Sequence, residues 1–204
     1  STLTISGFRI QSGLVENAPY YSASGGGIDC SDANPNLSDL TVSNNTANSG
    51  GGISFRDSSP VLENVIISNN TARNGGGLYF GSCPMSMAPL SDVIITGNYA
   101  SASGGGVYFN LSSITLSGTS ITNNHAALSG GGIYCYVSDL SFSEDNRCNI
   151  YLNAAGVGAD IYADPHTSTI YPFTVVVDTF TVMEPGSYHY YASPRDSLSF
   201  DILN

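Results

Sequence analysis

The chain of 204 residues suits one domain with a continuous core, and it has a formal net charge of -11 from 16 acidic residues, five arginines and no lysine. This balance argues against nucleic acids and anionic membrane surfaces as partners, because both are bound by clustered Lys and Arg. No run of about 18 apolar residues is available for membrane insertion. The many uncharged polar residues, chiefly Ser, Thr and Asn, are typical of proteins that work outside cells.

A block of three glycines recurs along the chain and sets its organisation. After each block come an aliphatic residue, any residue and, in most copies, a bulky apolar residue, as in Ile53-Ser54-Phe55. The blocks begin at Gly25, Gly50, Gly75, Gly104 and Gly130, and a degenerate sixth copy begins at Gly158. Repeats of 25 to 29 residues are typical of solenoid proteins, in which each unit stacks on the next.

A second motif precedes five of the six blocks. It consists of an aliphatic residue, two others, Asn, any residue and Ala, as in "ISNNTA" from Ile67. Its asparagines are Asn45, Asn70, Asn98, Asn124 and Asn153. Stacked units place them in one column, where we expect a ladder in which each side-chain amide bonds to its neighbours along the stack and to buried backbone groups.

The repeats predict short strands, since they show period-2 alternation and turn residues without a 3.6-residue pattern. We therefore predict an all-β fold, a right-handed parallel β-helix (solenoid) of about six coils over residues 1–163, with coils about 4.8 Å apart. The glycines are expected to leave room where the backbone crosses close to other core side chains, and to permit positive φ at a tight corner.

The residue before each ladder asparagine predicts a second kind of corner. Four of the five residues are of a type that tolerates a left-handed conformation, namely Asn44, Asn69, Gly97 and Asn123. Leu152 breaks this column and predicts a different turn in the last coil.

The paired motifs resemble the GGA(I/L/V) and FxxN repeats of chlamydial polymorphic outer-membrane proteins, and related β-helix repeats of bacterial secreted adhesins. The resemblance covers residues 25–163, with Ile or Val where the family has Phe and Gly where it has Ala. It implies a secreted or surface-exposed protein with an adhesive role.

The repeat pattern stops after Ala163, and residues 164–204 form a C-terminal segment of β-type sequence that includes "FTVVVDTFTV" and "SLSFDILN". We predict a cap over the open end of the solenoid, as repeat proteins require for solubility. The alternative is a strand that docks on another subunit or on a neighbouring domain.

Catalytic and metal sites have little support in the sequence. Polysaccharide lyases and hydrolases need acidic clusters with a basic residue, or carboxylates on adjacent coils. Asp39 and Asp92 share a column, but Asn64 lies between them, and His125 falls in an exposed turn. We therefore predict no catalytic residue, no metal and no cofactor, with weak calcium binding at Asp39 and Asp92 as the alternative.

An outward column carries a tyrosine on four successive coils, and its members are Tyr79, Tyr108, Tyr134 and Tyr162. An exposed aromatic strip of this kind suits stacking on sugars or packing against a partner. The alternative is cross-strand packing of side chains that favour a sheet.

The four cysteines permit two disulfides in an oxidising compartment. The first choice is a bridge between Cys135 and Cys148 in one coil, and a Cys30–Cys83 bridge would follow if the loop after Phe80 folds back. Candidate N-glycosylation sites occur at Asn36, Asn44, Asn69 and Asn110.

These patterns favour a non-enzymatic structural or adhesive β-helix module, secreted or held at the cell surface. Its expected partners are copies of itself, stacked end to end into filaments, or neighbouring domains of a longer surface protein, with a glycan or host-surface ligand as a further option. The alternatives are a carbohydrate-binding module that uses the tyrosines and, third, a polysaccharide-degrading enzyme.

Overall fold

The computed structural model describes residues 3–15, 24–84, 89–138, 140–143, 145–164, 174–178, 190–192 and 199–203. Within these ranges every regular element is a β-strand, and no helix is present that could cross a membrane.

The described residues contain twenty-three strands, which follow one another in chain order. The first eleven are β1 (Thr4–Ser6), β2 (Arg9–Gln11), β3 (Ile28–Ser31), β4 (Asn36–Ser43), β5 (Ile53–Arg56), β6 (Val61–Ser68), β7 (Thr71–Asn74), β8 (Leu78–Gly81), β9 (Leu90–Ser91), β10 (Ile94–Thr96) and β11 (Tyr99–Ser103). The others are β12 (Val107–Asn110), β13 (Ile114–Ser117), β14 (Ser120–Thr122), β15 (His125–Ser129), β16 (Ile133–Tyr136), β17 (Leu140–Phe142), β18 (Asn149–Tyr151), β19 (Ala154–Val157), β20 (Ile161–Asp164), β21 (Thr174–Asp178), β22 (Tyr190–Ala192) and β23 (Ser199–Leu203).

The strands form three parallel sheets that run along the solenoid. Sheet A has 12 strands, sheet B has the four strands β7, β11, β15 and β19, and sheet C has the seven strands β3, β5, β8, β12, β16, β20 and β22. Each pairing joins strands of successive coils. Because β3 to β20 are six successive strands of sheet C, five turns separate them. The predicted parallel β-helix is confirmed.

In-register stacking places like residues above one another, and this produces the core. Phe55, Phe80 and Phe109 are fully buried, and successive ring centroids lie 5.2 and 5.3 Å apart. The aliphatic residues after the glycine blocks form a second buried column, made of Ile28, Ile53, Leu78, Val107, Ile133 and Ile161. Each fully buried side chain of this kind stabilises the fold by roughly 1.5–3 kcal/mol.

Each coil turns at corners with left-handed backbone, and these corners stack into four columns. Two were predicted, the first glycine of each block and the residue before each ladder asparagine. Leu152 belongs to the second of these with a φ of 55°, so the prediction of a different turn there is wrong. The pairing of β14 with β18 and of β15 with β19 holds both sides of this corner in register, and stacking overrides the residue type.

The left-handed backbone of the other two corner columns was not predicted. One contains Gly7, Asp39, Asn64, Asp92 and Gly118. The other contains Asp32, Asp57, Ser82, Leu111 and Val137. Asp, Asn and Gly adopt this conformation at low cost, whereas a β-branched residue such as Val137 adopts it under strain.

The three glycines of a block have different tasks, as the block at residues 104–106 shows. Gly104 has a φ of 69° and turns the corner. A Cβ on Gly105 would lie 2.4 Å from the carbonyl oxygen of Gly131, and a Cβ on Gly106 would lie 2.6 Å from that of Gly132. Adjacent coils therefore approach so closely here that no side chain fits.

Strands beyond residue 164 extend two of the sheets. β21 pairs in parallel with β17, β23 pairs with β21, and β22 pairs with β20. Most of the predicted segment 164–204, on which the choice between a cap and a docking strand depends, lies outside the described residues. The division between residues 163 and 164 stays a prediction.

Candidate functional site: the tyrosine column and the internal ladders

The four predicted tyrosines form one continuous stack on the outer side of sheet C. They pair in register across β8, β12, β16 and β20. Ring centroids are 5.5 Å apart for Tyr79 and Tyr108, 4.7 Å for Tyr108 and Tyr134, and 5.1 Å for Tyr134 and Tyr162. Interplanar angles of 20°, 20° and 7° make the arrangement close to parallel.

The stack is not the exposed strip that the sequence predicted. Tyr134 is only 9% exposed, and the other three rings are half-buried. Because each ring lies against the next, the column presents ring edges and hydroxyl groups to solvent, and the ring faces are largely occupied. This corrects the picture of a flat aromatic surface.

Polar neighbours hold two of the tyrosine hydroxyls. The hydroxyl of Tyr134 donates to Oδ2 of Asp164 at 2.8 Å, and the hydroxyl of Tyr79 accepts from Nδ2 of Asn110 at 3.1 Å. Burial, followed by this hydrogen bond to Asp164, raises the pKa of Tyr134 far above its ordinary value of 10.0. Burial, followed by the nearby Tyr79, does the same to the pKa of Tyr108.

Inside the solenoid, the five predicted asparagines form an unbroken ladder of hydrogen bonds. Oδ1 of Asn70 accepts from both N and Nδ2 of Asn45, each at 2.9 Å. Nδ2 of Asn70 donates to the carbonyl of Val42 and to Oδ1 of Asn98, each at 3.0 Å. The same four contacts recur at Asn98 and Asn124, and every member of the ladder is less than a tenth exposed.

The two ends of the ladder are closed by other residues. Oδ1 of Asn45 accepts from the backbone N of Gly13 at 2.8 Å. At the far end, Nδ2 of Asn153 donates to Oδ1 of Asp160 at 2.9 Å, and its backbone N reaches the same oxygen at 3.3 Å. Asp160 takes the third position of the degenerate glycine block and is fully buried. Its carboxylate thus accepts the two hydrogen bonds that, in the other coils, the ladder asparagine of the next coil accepts.

A model of the right-handed β-helix region matches residues 27–171 of this chain. The chain belongs to the right-handed β-helix family. Comparison with curated proteins and with solved structures gave no match. Because the family contains both enzymes and non-enzymes, the activity of this β-helix must be inferred from its residues.

A serine ladder, not predicted from the sequence, lines another corner of the β-helix. Hydroxyl oxygens of Ser58, Ser112 and Ser138 accept from the backbone N of Ala33, Cys83 and Ser112, at 3.1, 3.0 and 3.0 Å. Each hydroxyl also donates to the carbonyl two residues earlier in its own coil. The signal available in the sequence was the repeat spacing, since Ser112 and Ser138 lie 26 positions apart, within the range of one coil.

Neither predicted disulfide is present, and all four cysteines are free thiols. Cys30 pairs with Phe55, which pairs with Phe80 in the coil of Cys83. Two coil spacings amount to roughly 9.6 Å, whereas a disulfide requires Cα atoms within about 7 Å.

The Cys135–Cys148 bridge is absent for a different reason. Cys135 lies in sheet C in the column of Phe109, and Cys148 lies immediately before β18 of sheet A. The two thiols therefore enter the core of the β-helix from different walls. Both are buried, and burial raises the pKa of the Cys148 thiol to about 11.

Four carboxylates of the β-helix, those of Asp32, Asp39, Asp57 and Asp92, lie at left-handed corners. Asn64 stands between Asp39 and Asp92, as predicted, and its Nδ2 donates to Oδ1 of Asp39 at 2.7 Å. Asp32 and Asp57 share another corner on adjacent coils and are exposed. In the described part of the chain, no group of three or more His, Cys, Asp and Glu residues is placed to hold a metal ion.

The remaining predicted residues lie on the surface of the β-helix. Asn36, Asn44 and Asn69 are exposed, and Asn110 is half-buried against Tyr79. His125 is exposed in sheet B, where its ring lies against that of Tyr99 with centroids 5.4 Å apart and the ring planes tilted by 53°. Glycosylation at the asparagines stays a prediction.

Substitution of Asp160 tests the closed end of the asparagine ladder. We expect Asp160→Ala to lower the free energy of unfolding by about 2 kcal/mol, because the buried backbone N of Asn153 loses its acceptor and Nδ2 loses one of its three. Asp160→Asn keeps an acceptor oxygen and should cost clearly less. Urea denaturation measures both values, and equal losses would contradict this role.

Alkaline pH should weaken the β-helix through its tyrosines. Because the pKa of Tyr108 and of Tyr134 is raised from 10.0 in the folded chain, the unfolded chain releases these phenol protons first as the pH rises. Their contribution to the free energy of unfolding is constant below about pH 9 and falls above pH 10, by about 1.4 kcal/mol per pH unit for each phenol. Tyr134→Phe lacks one of the two phenols, so it should remove about half of the decrease in unfolding free energy per pH unit that this pair causes. Urea unfolding at several alkaline pH values measures this slope, and a slope equal to that of the wild type would refute the prediction.

Proposed function

We propose that the chain is a non-enzymatic extracellular module with a structural or adhesive role. The continuous asparagine ladder supports this most strongly, because it fixes each coil against the next through four contacts per residue. Together with the phenylalanine stack, it makes a stiff rod whose surface residues are held at a fixed spacing. The resemblance to chlamydial and adhesin repeats supports a place at the cell surface.

The positions of the carboxylates favour a non-enzymatic role. Polysaccharide cleavage needs paired carboxylates, or a metal and a base, in a cleft that surrounds the reacting sugar. In the column of Asp39 and Asp92 the amide of Asn64 separates the two carboxylates. Asp32 and Asp57 do stack on adjacent coils, but they occupy an exposed corner of the solenoid.

Depolymerisation assays test this proposal directly. Neutral and acidic polysaccharides are incubated with the wild-type chain and with Asp57→Asn, and reducing ends are measured. We expect no release above background from either protein. Release by the wild-type chain that Asp57→Asn abolishes would overturn the non-enzymatic proposal and assign the activity to this corner.

Sugar binding by the tyrosine column is the second candidate function. Its support is the edge of hydroxyl groups along sheet C, with Asn110 and Asp164 beside it. The ring faces are largely covered by neighbouring tyrosines, which argues against sugar binding because sugars stack on open aromatic faces. We expect no difference in glycan-array binding between the wild type and the Tyr108→Ala/Tyr134→Ala double variant, and loss of a specific signal in the double variant would favour the carbohydrate-binding function.

End-to-end assembly is the stronger form of the structural proposal. β1 and β2 pair with β4, and their opposite edges lie at the end of sheet A. Large apolar side chains of this first coil are exposed, Leu3 by 61%, Phe8 by 64% and Leu14 by 59%. An open strand edge with apolar side chains fits a further β-coil, from a second copy or from a neighbouring domain of a surface protein.

A further inference from the structure

The tyrosine stack has properties that a structural role does not require. Four rings follow one another at centroid distances of 4.7 to 5.5 Å, nearly parallel, along the outer side of sheet C. Rings in such contact can exchange an electron with their neighbours. The column therefore connects its members electronically over four coils.

The rings differ in the partners of their hydroxyl groups. Tyr134 donates to the carboxylate of Asp164 at 2.8 Å, whereas Tyr79 accepts from the amide of Asn110. A phenol that loses an electron becomes strongly acidic, so oxidation is easiest where a base already holds the proton. Tyr134 is also 9% exposed, which shields its ring from solvent.

We propose that Tyr134 and Asp164 form a site of proton-coupled one-electron oxidation, fed by the tyrosine column. An external one-electron oxidant, of the class of ferryl haem or a ruthenium(III) complex, accepts one electron from the column. The phenol proton of Tyr134 moves to Oδ2 of Asp164, which leaves a neutral phenoxyl radical, a carboxylic acid and the oxidant reduced by one electron. A one-electron donor such as a thiol or ascorbate reduces the radical, and the proton returns to the phenol.

The raised pKa of Tyr134 agrees with this geometry. The phenol keeps its proton at neutral pH, so the electron cannot leave from a preformed phenolate. Electron loss from the protonated phenol makes its proton strongly acidic, and the hydrogen bond provides the path of that proton to Asp164.

Photogenerated tris(bipyridine)ruthenium(III), with persulfate as the electron acceptor, supplies the oxidant for the test. Tyrosyl radical is followed by transient absorption and freeze-quench electron paramagnetic resonance in the wild type, Tyr134→Phe and Asp164→Asn. The matched control is Tyr99→Phe, which removes a tyrosine of sheet B outside the column. Far-UV circular dichroism verifies that each variant is folded.

We expect Tyr134→Phe and Asp164→Asn to lower the yield of long-lived radical roughly tenfold, and Tyr99→Phe to leave it unchanged. The rate of radical formation in the wild type should fall in D2O, because a proton moves with the electron. Equal radical yields in the wild type and folded Asp164→Asn would overturn the proposal, as would a radical spectrum that Tyr134→Phe does not alter.

Discussion

Gly105→Ala is expected to lower the free energy of unfolding by more than about 4 kcal/mol, or to prevent folding. A Cβ at this position would lie 2.4 Å from the carbonyl oxygen of Gly131 and 2.6 Å from the carbonyl carbon and oxygen of His125. These are backbone atoms, so the clash is relieved only if the coils move apart. Such movement would break backbone hydrogen bonds of the block, including that from Gly105 N to Gly130 O at 3.0 Å.

The control for this substitution is Gly156→Ala in β19. Gly156 is exposed, and the nearest atom to an added Cβ is the carbonyl oxygen of Leu128 at 3.0 Å. We expect a change of about 1 kcal/mol or less. Urea denaturation followed by circular dichroism compares the two variants, and equal costs would show that the glycine blocks are not needed for close coil stacking.

Asn98→Ala is expected to cost about 4 kcal/mol of unfolding free energy, since several buried groups lose a partner worth about 1–3 kcal/mol each. Asn98 accepts from N and Nδ2 of Asn70, and it donates to the carbonyl of Ile67 and to Oδ1 of Asn124. With alanine at position 98, all of these partner groups stay buried and lose their hydrogen bond to this side chain. Asn98→Asp should be no better tolerated, because an ionised carboxylate cannot donate to Ile67 or Asn124.

Asn36→Ala provides the matched control for the ladder. Asn36 is an exposed residue of β4, and its loss should change the unfolding free energy by about 0.5 kcal/mol or less. The comparison uses equilibrium urea unfolding of the three variants and the wild type. An Asn98→Ala cost no greater than that of Asn36→Ala would mean that the amide ladder does not stabilise the fold.

The repeat made most of the fold predictable. Once the glycine block and the asparagine motif gave the period, a residue and its counterpart 25 to 29 positions later had to share a column, and the columns of Phe55, Asn70 and Tyr79 followed. The same reasoning placed Asn64 between Asp39 and Asp92.

Features without a fixed residue type were harder to predict. The corner of Asp57 and Val137 changes from acidic to apolar along the column, so its shared left-handed backbone leaves no pattern in composition. Asp160 occupies a degenerate copy of the block, where the other copies have glycine, and it accepts from Asn153 of its own coil as the asparagine of the next coil does elsewhere. Cysteine pairing failed because the sequence does not give the wall from which each thiol enters the core, and because Cys30 and Cys83 lie two coils apart.

The burial of the tyrosine rings was the other feature that could not be predicted from the sequence. Alternation correctly places Tyr108 and Tyr134 on the outer side of the strand, yet their exposure depends on how the rings lean on one another. Stacking at 4.7 Å covers the faces that an isolated outward tyrosine would present.

Electron microscopy of the purified native chain across a range of concentrations is the most direct test of a structural, end-to-end role. Filaments one β-helix wide, lengthening as the concentration rises, are the expected result, because the first coil offers an open strand edge with exposed apolar side chains. Particles that remain single β-helices at every concentration would contradict that role.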